Sequence, residues 1–144
     1  MSTMTLHDLA KAMGNIDFAM LTTRTEGGQL GTRPMSNNGD VELDGDSFYF
    51  SRESARTVSD IARDPHVALS FQGSAGLLGK PPLFVAVEGT ADIVRDKSAF
   101  AEHWTVDLAR WFSDGIDAEG MVMIHIHADR IHCWNGGDEG QGPT

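Results

Sequence analysis

The stretch SFYFSRESARTVSDIARDPHVALSFQ, residues 47–72, decides the fold class. It opens on Ser47-Phe48-Tyr49-Phe50-Ser51, a run of aromatic β-formers that reads as a strand. Between Ser54 and Arg63 the apolar residues Val58, Ile61 and Ala62 change to a helical stripe, and Pro65 lies just past the point where the stripe stops. Val67 to Gln72 then returns to a strand. One short helix therefore crosses between two strands.

Upstream, Phe18 to Thr23 and about Leu30 to Ser36 are β-rich runs joined by the turn cluster Glu26-Gly27-Gly28, which predicts a hairpin. Thr5 can cap a first helix carrying Leu6, Leu9, Ala10 and Met13, ended by Gly14. Asn37-Asn38-Gly39-Asp40 and Asp44-Gly45-Asp46 are further turns. Downstream, the glycine- and proline-rich connection Gly73 to Pro82 leads to a strand from Leu83 to Val87. That strand is expected to bend at Gly89 and continue through Ala91, Ile93 and Val94, since an interior glycine marks a bulge or barrel corner. Asp96 caps a helical region in which Phe100, Trp104, Leu108 and Trp111, spaced by four, four and three, fall on one face suited to core packing. Met121 to His127 alternates as a sixth strand, and Ala128-Asp129 is read as a turn toward Arg130 to Trp134.

Six or seven short strands with inserted helices lack the strict alternation of a parallel α/β sheet, so a mainly antiparallel β-barrel is expected. Residues 1–134 are read as one domain. Residues 135–144, rich in glycine and polar groups with nothing apolar to fasten them, are expected to form a flexible C-terminal tail.

Eleven basic against 21 acidic side chains give a formal net charge of -10, which opposes binding to nucleic acid or to anionic lipid. The longest apolar stretches fall short of the roughly 20 residues that cross a bilayer. The lone cysteine, Cys133, cannot form an intramolecular disulfide, and the N-terminus lacks a basic segment followed by an apolar run, so a cytoplasmic location is expected.

The densest chemistry lies in Gly31-Thr32-Arg33-Pro34-Met35, Phe50-Ser51-Arg52 and Ser54-Ala55-Arg56-Thr57. Ser51, Thr57 and the first N–H groups of the crossover helix can donate to a phosphate, while Arg33 and Arg56 can add forked, charge-assisted contacts. Pro34 would break a central ladder and argues for an edge strand or a bulge. The same arginines are equally compatible with solvated surface charge.

An ordered set of segments resembles the general-stress-protein branch of the pyridoxamine 5'-phosphate oxidase-like superfamily. It comprises Arg33-Pro34-Met35, Phe48-Tyr49-Phe50-Ser51, Ser54-Ala55-Arg56-Thr57-Val58, Asp64-Pro65-His66-Val67, Val87-Glu88-Gly89-Thr90-Ala91, His103-Trp104, Trp111-Phe112-Ser113-Asp114-Gly115 and Trp134. The resemblance implies a six-stranded antiparallel split β-barrel that pairs as a homodimer, with FMN, or FAD, in grooves at the subunit interface. It places Thr32, Arg33, Pro34 and Met35 beside the flavin ring, and Phe50, Ser51, Arg56 and Thr57 toward the phosphate. Trp104 and Trp111 would reach the partner's flavin. The chain departs from the oxidases at Thr57, where they usually carry lysine, at Phe84, where they tend to carry glutamine, and after Trp134, where their substrate-binding segment is missing. Pyridoxamine phosphate oxidation is therefore not expected.

Three functional classes follow. A flavin-dependent oxidoreductase of unknown substrate comes first, because the cofactor supplies the electron chemistry. A flavin-binding or flavin-sensing stress protein without turnover comes second. The third is a metal-binding barrel using His125 and His127, two apart on one strand face, with His132 returning across the Ala128-Asp129 turn. Cys133, beside Trp134, is expected to be buried rather than reactive.

Overall fold

A computed structural model describes residues 16, 18–36, 45–73, 82–110, 112–135 and 138–141. The expected N-terminal helix, the Asn37 to Asp40 turn, most of the Gly73 to Pro82 connection and Trp111 lie outside the described residues.

The chain runs β1 (Phe18–Arg24), β2 (Leu30–Ser36), β3 (Asp46–Arg52), α1 (Arg56–Arg63), β4 (His66–Gln72) and β5 (Phe84–Val94). It continues through α2 (Lys97–His103), two short 3-10 turns at Val106–Arg110 and Gly115–Asp117, β6 (Met121–Asn135) and β7 (Asp138–Gln141). All strand pairs are antiparallel, in the order β2-β1-β4-β5-β6-β3, with β7 added to β6. The two ends of that order, β2 and β3, curl toward each other without pairing. The result is the expected mainly β, split barrel with inserted helices.

Alternation builds the main core: Ala19 and Leu21, Leu69 and Phe71, Val85 and Val87, and Ile124 and Ile126 all point inward. The helix α1 adds Ile61 to this core and also buries Thr57, Val58 and Asp60, whereas Ala62 of the expected stripe is exposed. A second cluster lies on the opposite face of β3 and β6, where Phe50, Phe100, Leu108, Phe112, Met121 and Met123 pack together. With both faces of β6 covered here, Val122, Met123 and Ile124 are buried in succession.

Three expectations change. The strand β5 bends where foreseen, with a register shift between Glu88 and Gly89. Its partner β6, however, runs unbroken through Ala128-Asp129: Gly89 faces Ala128 while Glu88 faces Arg130, so Asp129 is the extra residue of a bulge and not a turn. The buried positions accordingly switch from Ile124 and Ile126 to Ile131 and Cys133. The helix after Asp96 stops at His103, and Trp104 is already extended. The run Trp104-Thr105-Val106, aromatic and β-branched, is a weak helix former, and the chain resumes only as a 3-10 turn. Finally, the segment read as a tail carries β7, whose ladder with β6 runs from His132↔Gln141 to Asn135↔Asp138.

Candidate functional site

Pro34 lies on β2, which among the described residues is an edge strand paired only with β1, where its missing N–H costs no central ladder bond. Between that edge and β3 opens a groove of about 490 Å³, walled by Phe18, Pro34, Met35, Phe50, Leu108 and Phe112 and edged by Ser36, Ser51, Arg52, Ser54 and Ala55. Four of the expected site residues, Pro34, Met35, Phe50 and Ser51, therefore meet in one cleft, and it is largely apolar.

Arg33 and Arg56 meet beside it in a charge cluster centred on Asp60, a carboxylate almost wholly withdrawn from solvent at 1% exposure. Thr23 Oγ1 donates to Asp60 Oδ2 at 2.9 Å, and Arg63 Nη2 donates to Oδ1 at 2.8 Å. Arg33 Nη2 lies 3.5 Å from Oδ2, and Arg56 Nε lies 3.9 Å from it. Arg33 is further fixed by Nη1, which donates to Thr23 Oγ1 at 2.7 Å and to the Leu21 carbonyl at 3.3 Å. Three guanidiniums thus face one carboxylate, and positive charge is in excess there although the whole chain is acidic. Burial pushes the Arg33 guanidinium below its ordinary value. Asp60 opposes that shift, while the neighbouring charge of Arg56 adds to it.

Two local features make the cluster receptive to an anion. A Cβ built on Gly31 would stand 3.0 Å from Thr25 Cγ2, 3.1 Å from Arg56 Nη2 and 3.4 Å from Arg33 Nη2, so the glycine leaves room where the two guanidiniums converge. The N-cap of α1 is Ala55, whose side chain cannot accept a hydrogen bond, and the first turn holds no acidic residue. A phosphate would fit both the convergent guanidiniums and the uncapped helix start.

Not every expected residue joins this site. Thr32 points to the outer face, exposed, its hydroxyl 2.8 Å from that of Thr22. Thr57 is buried on the inner side of α1. Trp104 is half-buried in the second cluster, edge-on to Phe50 at 5.7 Å, which is the packing role its spacing suggested. Asp60 and Thr23 were not foreseen; the available signal was an acidic residue among the inward positions of α1.

The histidines take another arrangement. His125 and His127 do share a face, beside Asp46 of β3: His127 Nδ1 is 2.7 Å from Asp46 Oδ1, and His125 Nε2 is 3.2 Å from the same oxygen without hydrogen-bond geometry. Because β6 continues past Asp129, His132 does not fold back on them and stacks instead on Trp134. Among the described residues no group of three or more His, Cys, Asp or Glu side chains is placed to hold a metal ion. Nor is any described helix long and apolar enough to cross a membrane.

An antiparallel barrel split between β2 and β3, with an apolar groove in the split and arginines gathered at its side, defines a split-barrel domain. More specifically, the profile of the family described as pyridoxamine 5'-phosphate oxidase like matches residues 4–141, and the chain belongs to that family. Among solved structures, a protein related to general stress protein 26 from Clostridium acetobutylicum superposes with a TM-score of 0.75 at 17% identity, covering 94% of this chain and 92% of that one. General stress protein 26 from Bacillus anthracis gives 0.72 at 17% identity, covering 94% and 97%. A heme binding protein from Mycobacterium smegmatis gives 0.75 at 16% identity, covering 98% of this chain and 59% of that one. At these identities the likeness is one of fold. The comparison with curated proteins finds no match.

Proposed function

We propose that this chain is a flavin-binding protein, taking FMN or FAD, that works as a flavin-dependent oxidoreductase on a small substrate. The observation that carries the reading is the junction of two surfaces: an apolar groove along Pro34, Met35 and Phe50, and the Arg33–Arg56 convergence over Gly31 at the uncapped start of α1. A flat, largely apolar ring system with an anionic phosphate matches that pairing.

When bound, the flavin would supply the electron transfer. The chain's own part is to hold and orient it. Met35 and Phe50 exclude water from the ring, Ser51 offers a hydroxyl at the groove edge, and the two arginines neutralise the phosphate. Thr23 and Asp60 keep Arg33 in place, so they act as positioning residues. The exposed apolar side chains of Phe18 and Met20 on β1, next to the exposed Pro34, give a second copy of the chain a face to cover, which supports a homodimer with the groove at its interface.

The test is an absorption titration of the purified protein with FMN, repeated on Arg56→Ala. Saturable binding weakened more than about tenfold, on the order of 1.4 kcal/mol, supports the assignment. Failure of both FMN and FAD to bind refutes it. A holoprotein that binds flavin yet oxidises neither NADH nor NADPH favours storage or sensing over turnover with those donors.

A further inference from the structure

The walls of the groove between β2 and β3 are side chains that the core already fixes. Phe50, Leu108 and Phe112 belong to the buried second cluster, where Phe50 meets Phe100, Trp104 and Phe112 edge-on at 5.9, 5.7 and 6.5 Å. Met35, on the β2 side, is buried as well. Walls set before a ligand arrives favour a flat, rigid occupant, which loses little freedom on entering.

Charge at the groove is committed within the protein. Among the described lining residues Arg52 alone is charged. Its guanidinium carbon lies 4.7 Å over the centre of the Phe112 ring, and it has a further partner in the chain, so it serves to clamp that wall. Both oxygens of the adjacent Glu53 accept from Arg95, at 2.9 and 3.1 Å. The other polar side chains of the lining are the hydroxyls of Ser36, Ser51 and Ser54. A hydroxyl can donate to a neutral carbonyl oxygen. A charged head group drawn between apolar walls, by contrast, loses its hydration without a counter-charge in return. We propose that the small-molecule partner of this groove is a neutral, planar aromatic carbonyl compound, its rings between the apolar walls and its carbonyl oxygen accepting from the serine hydroxyls at the edge. As a statement about a redox partner this rests on the flavin reading; as a statement about which rings the groove admits it stands on the groove alone.

The test compares neutral naphthamide, anionic naphthoate and cationic naphthamidine, which share a fused ring and a flat head group, by calorimetric titration of the flavin-free protein and of the protein saturated with FMN. Naphthamide is expected to bind at least about tenfold more tightly than either charged probe in both states. At least one of Ser36→Ala, Ser51→Ala and Ser54→Ala is expected to weaken naphthamide about threefold or more, while naphthalene, which has no carbonyl, stays within about twofold. Ser54→Lys, at an exposed edge position, is expected to bring naphthoate to within about threefold of naphthamide by supplying the missing counter-charge. Equal affinities, a preference for either charged probe, no binding of any probe, or no loss in any serine variant would overturn the proposal. Naphthamide binding that FMN abolishes would overturn its role as a partner of the bound flavin. If FMN fails to bind while naphthamide still binds selectively, the flavin reading falls and this one survives; if FMN binds and naphthoate is preferred, the reverse holds.

Discussion

Replacing Asp60 by asparagine removes the charge at the centre of the arginine cluster while keeping a side-chain oxygen for Thr23. Arg56 and Arg63 are 69% and 41% exposed, so their ion pairs with Asp60 are screened by solvent and contribute about 0–1 kcal/mol each. Arg33 is different, at 19% exposure and facing a carboxylate at 1%. Losing its buried counter-charge, with Arg56 still nearby, is expected to cost about 2 kcal/mol. The expected total is about 2–4 kcal/mol, a large share of the roughly 5–15 kcal/mol that holds an ordinary domain together. Urea unfolding monitored by circular dichroism measures it, with the midpoint falling and the slope unchanged. The double variant Asp60→Asn with Arg33→Met should be less destabilised than the two single effects added, because each removes the other's uncompensated partner. An Asp60→Asn midpoint equivalent to less than about 0.5 kcal/mol, within the range of ordinary surface substitutions, would refute the claim that this carboxylate organises the cluster.

Gly89→Ala would press its Cβ against the carbonyl oxygen of His127 across the bulge, where backbone cannot yield cheaply, and should destabilise by about 2–4 kcal/mol in the same urea assay. Gly31→Ala would bring its Cβ to 3.0 Å from the γ-methyl of the stiff, β-branched Thr25 as well as against the flexible ends of Arg56 and Arg33, so stability should fall by about 1 kcal/mol, while FMN affinity falls as the two guanidiniums are pushed apart. Burial pushes the Cys133 thiol up, so at neutral pH a disulfide reagent should modify it slowly in the native protein and rapidly in urea. The linkage sign follows: the native state disfavours the thiolate, so its contribution to stability is present below the unfolded thiol value and is lost as pH rises above it toward the raised folded value, a loss that Cys133→Ala should remove. At the acid end, hydrogen bonds from His66 hold the half-buried Asp64 carboxyl below its usual value. Its small contribution is present above the unfolded carboxylate value and lost as pH falls through the folded one, and Asp64→Asn should flatten that limb of the stability profile.

Much of the fold was legible because its signals are local. The aromatic run 48–50, the crossover stripe and the interior Gly89 each announced their element, and Pro34 announced an edge. The Ala128-Asp129 dipeptide was misread because turn chemistry and a one-residue bulge look alike in composition. The distinguishing sign was the parity change from Ile124 and Ile126 to Ile131 and Cys133. The aromatic stripe from Phe100 to Leu108 does pack in one cluster, but through two separate helical pieces, since burial of the side chains outweighed continuity of the helix. At the site, Pro34, Met35, Phe50 and Ser51 were readable as a group. The Asp60 network was not, because it joins β1, β2 and α1 across 37 residues between Thr23 and Asp60, and no local pattern encodes a partner at that distance.

The most direct measurement is a fluorescence titration of the protein with FMN and with riboflavin, which lacks the phosphate, run side by side on the unsubstituted chain and on Arg33→Ala and Arg56→Ala. The groove and arginine cluster predict that FMN binds at least about tenfold more tightly than riboflavin, and that each substitution erodes this preference while riboflavin affinity changes little. Equal binding of the two flavins, or no binding of either, would contradict the assignment of Arg33 and Arg56 to a flavin phosphate.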